Sequence, residues 1–527
     1  MRWARAVWVK AGIVLVTGLL TLGSFLLPPV VPEDAARSEF SAKRSMTHVE
    51  QLAQAPRFSG SPGHSRAQEY LKQQLSEWGL PVERHRLPMT LPSQPWESDR
   101  SIMVENILTR LQGQGSEGAI LLVAHYDSFF QSPGAGDNGT GVAVILEVVR
   151  ALTAYGPLTR DVIVLFSDAE EWGLLGAQAF IGEHLWANEV AVVVNLDGRG
   201  RAGPVLLMEV TSPALLHIFR RVVTRPWAYG LTSLFYRRMG GATDFCVFRR
   251  AGFAGYHLAF VHGADVYHTP YDCPMQLDLR MLQHMGEQCL ALVHVLADAS
   301  ESEITNASET KMVYFTLPGG WVVAYRTRWN LLLAGLALWA CIRMWVERAP
   351  SPWLHALAGA SACLLTAVVA VGSVSLVLHH IVPTETVKNP TVGLVLLGMT
   401  GGKVVLIFYG LHAQWRRLLS YTALSWGFWL AMTALLLGFT CWLPYGHYLV
   451  AWPLLALSLV KRRATTVGVS YLAYAVATLS FFMLWLPVVY LGFIMLTLEQ
   501  PVLILTGVLL GSWWWQLAGA PLARHSP

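Results

Sequence analysis

The chain has 527 residues, of which 54% are hydrophobic and 14% charged, and its formal net charge is +4. This length excludes one ordinary domain, and the low charged fraction excludes a fully soluble protein. Residues 326–527 carry 12 basic and 3 acidic residues, whereas residues 1–325 carry 26 and 31. The two parts therefore suit different solvents, and the acidic excess of the first argues against nucleic acid as a partner.

The amino-terminal apolar stretch, residues 11–27, follows Arg2, Arg5 and Lys10 and contains no charge. It is long for a signal peptide, it ends in two prolines, and no small-residue cleavage site follows it directly. These features favour an uncleaved signal anchor over a cleaved signal peptide. The preceding positive charges place the chain's start in the cytoplasm and the residues after the anchor outside.

A second apolar block begins near Trp329 and divides at its charges and prolines into segments long enough to cross about 30 Å of hydrocarbon. The loop arginines and lysines then fall mainly on the cytoplasmic side, so we expect eight spans in a lipid bilayer. Residues 448–460 are short for a span, and residues 466–496 are either kinked near Pro487 or combined with a re-entrant piece. The seven predicted spans of this block are residues 329–346, 353–378, 391–413, 421–443, 448–460, 466–496 and 501–520.

Between these blocks, residues 45–300 are long enough for one soluble core. Three apolar runs rich in β-branched residues predict strands buried on both faces of a mainly parallel sheet, and two amphipathic stretches predict helices. The predicted fold class is therefore α/β, a doubly wound sheet with helices on both faces and polar residues at the carboxyl ends of its strands. The runs are residues 119–124, 162–166 and 190–195, and the helices are residues 141–155 and 279–298.

The resulting organisation has six parts. An apolar stretch at residues 313–325, interrupted by a Pro-Gly-Gly sequence, predicts a juxtamembrane strand or turn. The parts are a cytoplasmic tail (1–10), a transmembrane anchor (11–30), the soluble domain (45–300), a linker (301–328), a membrane domain of about seven helices (329–520) and a cytoplasmic tail (521–527).

Each predicted strand leads into residues that can bind a metal. The sequence AHYDS places His125 and Asp127 on the same side of an extended chain, where the carboxylate is suited to orient the imidazole. The glycine-rich PGAGDNGTG carries Asp137 just before a helix. In FSDAEEWG, Glu170 and Glu171 point in different directions, so one can bind a metal while the other handles a proton.

Two further residues complete the set, because NLDGRG supplies Asp197 and VYHTPYD supplies His268. A lone carboxylate at a strand end more often caps a helix or faces solvent, and Asp137 alone could be an N-cap. Five such residues at the strand ends and their loops favour a metal site. Two histidines with three carboxylates suit zinc, as two ions about 3.5–4 Å apart that share one carboxylate.

The motifs AHYDS, GAGDNGTG, DAEEWGLLGA, NLDGRG and GATDF...YHTPYD resemble, in this order, the co-catalytic zinc aminopeptidase family, which also contains glutamate carboxypeptidase II, glutaminyl cyclases and the inactive transferrin receptor. A soluble domain followed by spans further resembles its endoplasmic reticulum metallopeptidase and vacuolar membrane protease branch. The resemblance implies a zinc exopeptidase-like fold with two Zn²⁺. It implies these roles: His125 and Asp197 at one ion, Glu171 and His268 at the other, Asp137 bridging, Asp127 orienting His125, and Glu170 as general base.

Three more residues are weaker candidates for substrate binding. Asp244 in GATDF matches a family position near the metals, although a loop cap explains it equally well. Arg199 could bind a substrate carboxylate, with a solvated loop residue as the alternative. Tyr267, beside His268, either lines the pocket or packs.

The resemblance implies a membrane-anchored aminopeptidase acting on peptides, with its active site on the non-cytoplasmic side. A bacterial inner membrane facing the periplasm is the favoured location, and the endoplasmic reticulum and the vacuole are alternatives. The competing functions are a transporter or receptor whose peptidase-like domain only binds, and a glutaminyl cyclase-like amide enzyme. Cys246, Cys273 and Cys289 match no zinc spacing, and no disulfide is predicted among them.

Overall fold

The computed structural model describes residues 2–24, 26–91, 101–115, 117–238, 242–305, 311–348, 360–362, 365–371, 374, 396, 399–407, 410–411, 421–462, 467–496 and 504–510. The chain divides into two compact units. One unit, here called the helical unit, combines Met1–Leu26 with Lys311–Pro527 and begins with helix α1 (Arg2–Ser24). The other, the sheet unit, is Leu27–Thr310 and contains the whole predicted soluble domain.

The sheet unit is built on a seven-stranded sheet in the order β1-β2-β4-β3-β5-β7-β6. The three strands predicted from apolar runs are β3, β4 and β5, and every residue of β3 and β4 is buried. The strands are β1 (Glu83–Thr90), β2 (Ser101–Leu111), β3 (Ala119–His125), β4 (Val162–Ser167), β5 (Val190–Gly198), β6 (Leu206–Val210) and β7 (Ala254–Phe260).

Strand direction is mixed rather than mainly parallel. The four central strands β4, β3, β5 and β7 run parallel, and the sequence predicted three of them, β3, β4 and β5. At the edges, β1 and β2 pair antiparallel, β2 joins β4 antiparallel, and β6 joins β7 antiparallel. The edge strands escaped prediction because they are short or alternate with polar residues, as in the sequence ERHRLPMT of β1.

Helices cover both faces of the sheet. On one face Leu121 and Val123 pack with Phe180 of α5 and with Phe245 and Phe248 of α8. On the other, α4 and α9 contact each other and the central strands. The helices of the unit are α2 (Ala42–Leu52), α3 (Pro62–Glu77), α4 (Thr140–Tyr155), α5 (Leu175–Glu183), α6 (Pro213–Val222), α7 (Thr232–Arg238), α8 (Asp244–Arg250), α9 (Leu279–Asp298) and α10 (Glu301–Thr305).

The order of the central strands creates a crevice at their carboxyl ends. After β3 the chain crosses through α4 to β4 on one side, and then through α5 to β5 on the other side of β3. Ligands of open α/β sheets bind outside such a reversal of strand order. The polar residues that follow β3, β4 and β5 therefore meet at one place.

In the helical unit, a two-stranded hairpin, β8 (Met312–Leu317) and β9 (Trp321–Arg326), occupies the stretch predicted as a juxtamembrane strand or turn. The described helices after it include Trp329–Arg348, Tyr421–Trp442, Tyr448–Arg462 and a continuous run from Val467 to Leu496. That run contains a π-helical segment, Ser480–Trp485, just before Pro487.

The described part of the helical unit contains several apolar helices, which differ in whether they are long enough to cross a membrane. Within the described residues, one helix, Tyr471–Met495, is long and apolar enough to cross a membrane, and Trp8–Thr21, Trp329–Arg343 and Trp429–Trp442 are shorter apolar helices. The predicted spans at 353–378, 391–413 and 501–520 lie only partly within the described residues. The count of eight spans stays a prediction.

One close contact in the sheet unit predicts a measurable loss of stability. A Cβ added to Gly286 of α9 would lie 2.1 Å from the buried ring of Phe40. Gly286→Ala is therefore expected to destabilise the unit by about 1–3 kcal/mol through overpacking. The matched control is Gly182→Ala on α5, where no atom lies within 4 Å and helix propensity should stabilise. Thermal unfolding in detergent measures both, and an unchanged midpoint for Gly286→Ala would contradict the packing.

Candidate metal centre

His125 is the last residue of β3, so the strand fixes its position at the edge of the sheet. Its side chain is buried, and its Nδ1 lies 3.3 Å from Oδ1 of Asp127. Because a carboxylate on one ring nitrogen orients the ring, Nε2 is left to face the crevice. The orienting role expected for Asp127 thus agrees with the observed contact.

Asp137 lies in the short turn Ala135–Gly139, directly before α4, and its own backbone angles (φ −111°, ψ 92°) are not helical. The turn follows Gly134, which has φ of +66°, and a Cβ there would lie 2.4 Å from the Asp137 carbonyl oxygen. Oδ1 of Asp137 lies 3.2 Å from Nε2 of His125, and its Oδ2 lies 3.1 Å from Nε2 of His268. One carboxylate therefore faces both histidines with different oxygens.

The second histidine, His268, adopts a positive φ of 58° in the loop after β7. Its ring stacks between Phe129 and Tyr267, at centroid distances of 4.1 Å and 3.7 Å. Its Nε2 also lies 3.2 Å from Oε2 of Glu171, whose Oε1 is buried without a hydrogen-bond partner. Among the described residues, Oε1 of Glu171 is therefore a ligand atom that the protein itself leaves unsatisfied.

Asp197, in the penultimate position of β5, completes the first group, because its Oδ1 lies 3.7 Å from Nε2 of His125. The same oxygen accepts a hydrogen bond from the backbone N–H of Gly198 at 2.7 Å. The five predicted ligands form two groups that share Asp137, namely His125, Asp137 and Asp197, and Asp137, Glu171 and His268. Nitrogen and carboxylate oxygen donors in two such groups fit a pair of zinc ions.

Asp127 also organises the loop after β4. Its Oδ1 accepts a hydrogen bond from the backbone N–H of Glu170 and its Oδ2 one from that of Glu171, both at 3.2 Å. A single buried carboxylate thus ties His125 to the two adjacent glutamates. Oε2 of Glu171 lies 3.2 Å from Nε2 of His268, and both glutamates line a cavity of about 380 Å³. Of the two, Glu171 is the one that forms an ion pair with a histidine among the described residues.

The weaker candidates occupy different positions around this cavity. Arg199 and Tyr267 both line it, and the Arg199 guanidinium lies 4.6 Å from the centre of the Tyr267 ring. Asp244 is buried in the first turn of α8, where the hydroxyl of Ser167 donates to its Oδ2. Arg199 and Tyr267 therefore face the cavity, whereas Asp244 is buried and is not among its lining residues.

The pKa values show how strongly these groups interact. Burial opposes protonation of both histidines, but nearby carboxylates outweigh it, so the pKa of His125 lies well above its ordinary value and that of His268 rises to about 9. Burial raises the pKa of Glu171 to about 7 and that of Glu170 well above its ordinary value. Hydrogen bonds with the two histidines lower the pKa of Asp137 in spite of its burial. The cluster therefore attracts protons, and a metal cation can replace them.

Sequence reasoning missed two buried charged residues that contact the Asp137 loop, Arg57 and Asp272. Asp272 ends the motif VYHTPYD, in which only His268 was singled out, so its spacing from the histidine was an available signal. Arg57 lies in a loop before α3, and nothing in the surrounding sequence marks it.

Residues 106–293 match the family model described as Peptidase family M28. The chain contains a peptidase family M28 domain. The match covers β2 to α9, which includes all five predicted metal ligands and both predicted catalytic residues.

Curated relatives carry related names. Endoplasmic reticulum metallopeptidase 1 of Rattus norvegicus is 29% identical over 329 residues, which cover 58% of this chain and 36% of that protein. The vacuolar membrane protease of Candida dubliniensis is 30% identical over 286 residues, which cover 52% of this chain and 30% of that protein. The chain thus spans about a third of the length of these relatives.

Solved structures of other proteins match about half of this chain. A zinc aminopeptidase from Bacillus subtilis is 17% identical with a TM-score of 0.41, and the match covers 51% of this chain and 99% of that one. A glutaminyl cyclase from Porphyromonas gingivalis is 20% identical with a TM-score of 0.42, covering 49% and 99%.

The raised pKa values predict that metal binding releases protons. At pH 7 His268, with a pKa of about 9, is mostly protonated and Glu171, with a pKa of about 7, is half protonated. Because a ligand must lose its proton to bind a metal, zinc affinity should rise as the pH increases from about 6 to 9. Zinc titration calorimetry in buffers of different ionisation enthalpy counts the protons, and roughly one or more per chain are expected at pH 7. His217→Gln, an exposed change on α6, is the control, and heats that are independent of the buffer would contradict the prediction.

Proposed function

We propose that the chain is a membrane-anchored, zinc-dependent exopeptidase, an aminopeptidase that removes amino-terminal residues from peptides. The observation that carries the proposal is the position of Asp137, whose two oxygens face His125 and His268 separately. A shared carboxylate between two ligand groups is the arrangement that a two-metal hydrolytic site requires. The family M28 match over the same residues supports this chemistry.

Two Zn²⁺ per chain would be held by His125 and Asp197 on one side, by Glu171 and His268 on the other, and by Asp137 between them. The fit rests on the donor types and on the buried Oε1 of Glu171, which has no hydrogen-bond partner among the described residues. When bound, such ions polarise the scissile carbonyl and lower the pKa of water towards 7.

Glu170 is the residue proposed to move the proton. It lines the cavity beside the ligand groups but makes no ion pair with either histidine among the described contacts. Its raised pKa suits a group that accepts a proton from water and later donates it to the leaving amine. Asp127, through the backbone N–H of Glu170, holds this carboxylate in place as a positioning residue.

The shape and charge of the cavity support exopeptidase action on a free amine. A volume of about 380 Å³ suits one terminal residue better than an extended chain running through. Four carboxylates, those of Asp137, Glu170, Glu171 and Asp197, line it and attract a positively charged amino terminus. Arg199 and Tyr267, which also line the cavity, are proposed to contact the peptide, and Asp244 to support the site from behind.

The helical unit is proposed to cross the membrane several times, with the sheet unit on the non-cytoplasmic side. The helix Tyr471–Met495 and the names of the curated relatives support membrane attachment. The basic residues near the predicted span ends support the orientation. A bacterial inner membrane with the sheet unit in the periplasm fits best, and the endoplasmic reticulum and vacuole membranes are the alternatives.

The central test is Glu170→Gln. Removing the proton acceptor should lower kcat on aminoacyl amides roughly 10²- to 10⁴-fold while two zinc ions per chain remain. N-acetylated amides should resist the wild type, because they lack the charged amine. Glu183→Gln, an exposed change on α5, is the matched control and should leave both readouts unchanged. Cleavage that is indifferent to Glu170, or a wild type without zinc, would favour the binding-only alternative, and release of a cyclised amino-terminal glutamine would favour a cyclase.

The orientation has its own test. With eight spans both termini lie in the cytoplasm, so a fluorescent protein fused to the carboxyl terminus should fold and fluoresce, whereas alkaline phosphatase fused there should stay inactive. Protease added to spheroplasts should cut the chain between the two units and release the sheet unit. Active phosphatase at the carboxyl terminus would overturn the predicted count of spans.

A further inference from the structure

Two buried charged residues hold the loop that carries Asp137. Arg57 binds main-chain carbonyl groups, and Asp272 binds main-chain amide groups. Arg57 is fully buried, and its side-chain nitrogens all donate to main-chain carbonyls. Its Nη2 lies 2.7 Å from the carbonyl oxygen of Gly134, and its Nη1 bonds that of Pro133. Its Nε lies 2.7 Å from the carbonyl oxygen of Tyr126. One guanidinium thus joins the end of β3 to the start of the metal loop.

Asp272 holds the amide groups of the same loop. Its Oδ1 accepts a hydrogen bond from the N–H of Gly136 at 2.7 Å, and its Oδ2 accepts one from the N–H of Asp137 at 3.1 Å. Its own carbonyl oxygen accepts from the N–H of Ala135 at 3.1 Å. Asp272 lies four residues after His268 and therefore links the loop of one metal-ligand residue to the loop of another.

We propose that Arg57 and Asp272 are positioning residues that set the Asp137 carboxylate between the two metal-ligand groups. Besides Asp137, Asn138 is the one residue of 134 to 139 whose side chain forms hydrogen bonds, to the carbonyl oxygen of Leu196 and from the N–H of Gly141. The main-chain groups of Gly134, Gly136 and Asp137 are instead bound by Arg57 and Asp272. The inference rests on the proposed two-zinc site, since it concerns the residue shared by both ions.

Arginine is needed at position 57 for its shape as well as its charge. A planar guanidinium presents five N–H donors in a fixed fork, whereas lysine has one compact ammonium group. The three carbonyls that Arg57 reaches belong to two separate segments, so a single ammonium cannot satisfy them together. Arg57→Lys therefore keeps the positive charge near the carboxylates and removes the geometry.

Arg57 also lies outside the segment that matches the peptidase family, which begins at residue 106. Its backbone N–H donates to Oγ of Ser128 at 3.0 Å, which docks the loop before α3 against the residue that follows Asp127. The amino-terminal part of the sheet unit thus contributes a working part of the metal centre, and a shorter chain that began at the family match would lack it.

The experiment compares zinc affinity, zinc stoichiometry and kcat for the full chain in detergent and its Arg57→Lys and Asp272→Asn variants. Chelator competition should show both variants binding zinc roughly 10- to 100-fold more weakly. Both ions should be affected, because Asp137 contributes an oxygen to each group, and kcat should fall more than KM rises. Asp272→Asn keeps the size of the side chain but loses one acceptor, so it guards against misfolding of the arginine variant.

Two matched controls separate positioning from general stability. Arg160 is also fully buried and donates to the carbonyls of Gly118 and Ala299, and Asp161 accepts from the N–H of Gly113, but neither residue contacts the metal loop. Arg160→Lys and Asp161→Asn should lower the unfolding midpoint of the zinc-free protein and leave its zinc affinity unchanged.

Each result has a defined meaning. Zinc affinities of Arg57→Lys and Asp272→Asn that match those of the controls would overturn the inference, as would a loss confined to one of the two ions. A wild-type protein that binds fewer than two zinc ions would instead overturn the proposed function, which keeps the two failures distinguishable.

Discussion

The sheet unit is organised around the repulsion among carboxylates that share one partly enclosed space. Asp137, Glu170, Glu171 and Asp197 line the same cavity, and His125, His268 and the guanidinium of Arg199 are the positively chargeable groups beside them. Burial raises the pKa of Glu171, and the neighbouring Asp137 carboxylate raises it further, because like charges at low dielectric disfavour full ionisation. Such a cluster persists only if the backbone holds it and a cation compensates it. Three features hold the backbone of this cluster in place: the reversal of strand order at β3, the glycine turn and the buried contacts of Asp127.

The sequence was sufficient to predict which polar residues the fold brings together, because they follow elements with strong local signals. Uninterrupted β-branched runs predict central strands, and the carboxyl ends of parallel strands lie at one edge of a sheet. His125, Glu171 and Asp197 therefore had to lie close together once β3, β4 and β5 were recognised. The edge strands carried no comparable signal, and so the mixed character of the sheet came only from the structure.

The supporting residues were invisible for a different reason. Arg57 bonds main-chain carbonyls of residues 69 to 77 positions away, and every residue of any sequence has a carbonyl group. No residue type in the partner segment therefore indicates the contact. Asp272 bonds main-chain amides, which nearly every residue also has, so the partner residues give no signal either. Its place in the motif of His268 could nevertheless have drawn attention to it. Side chains that bind the backbone are thus the part of a site that residue patterns reveal least.

These contacts also connect metal binding to stability. Burying Arg57 and Asp272 costs desolvation free energy, and well-packed apolar residues at such sites are often at least as stable. Apolar residues, however, cannot hold the carbonyls and amides of a glycine-rich loop. A ligand that binds only the folded chain stabilises it in proportion to its affinity, so zinc would offset the carboxylate repulsion that the folded unit otherwise carries. The groups that make the centre reactive are then the same groups that make its metal-free form the less stable one.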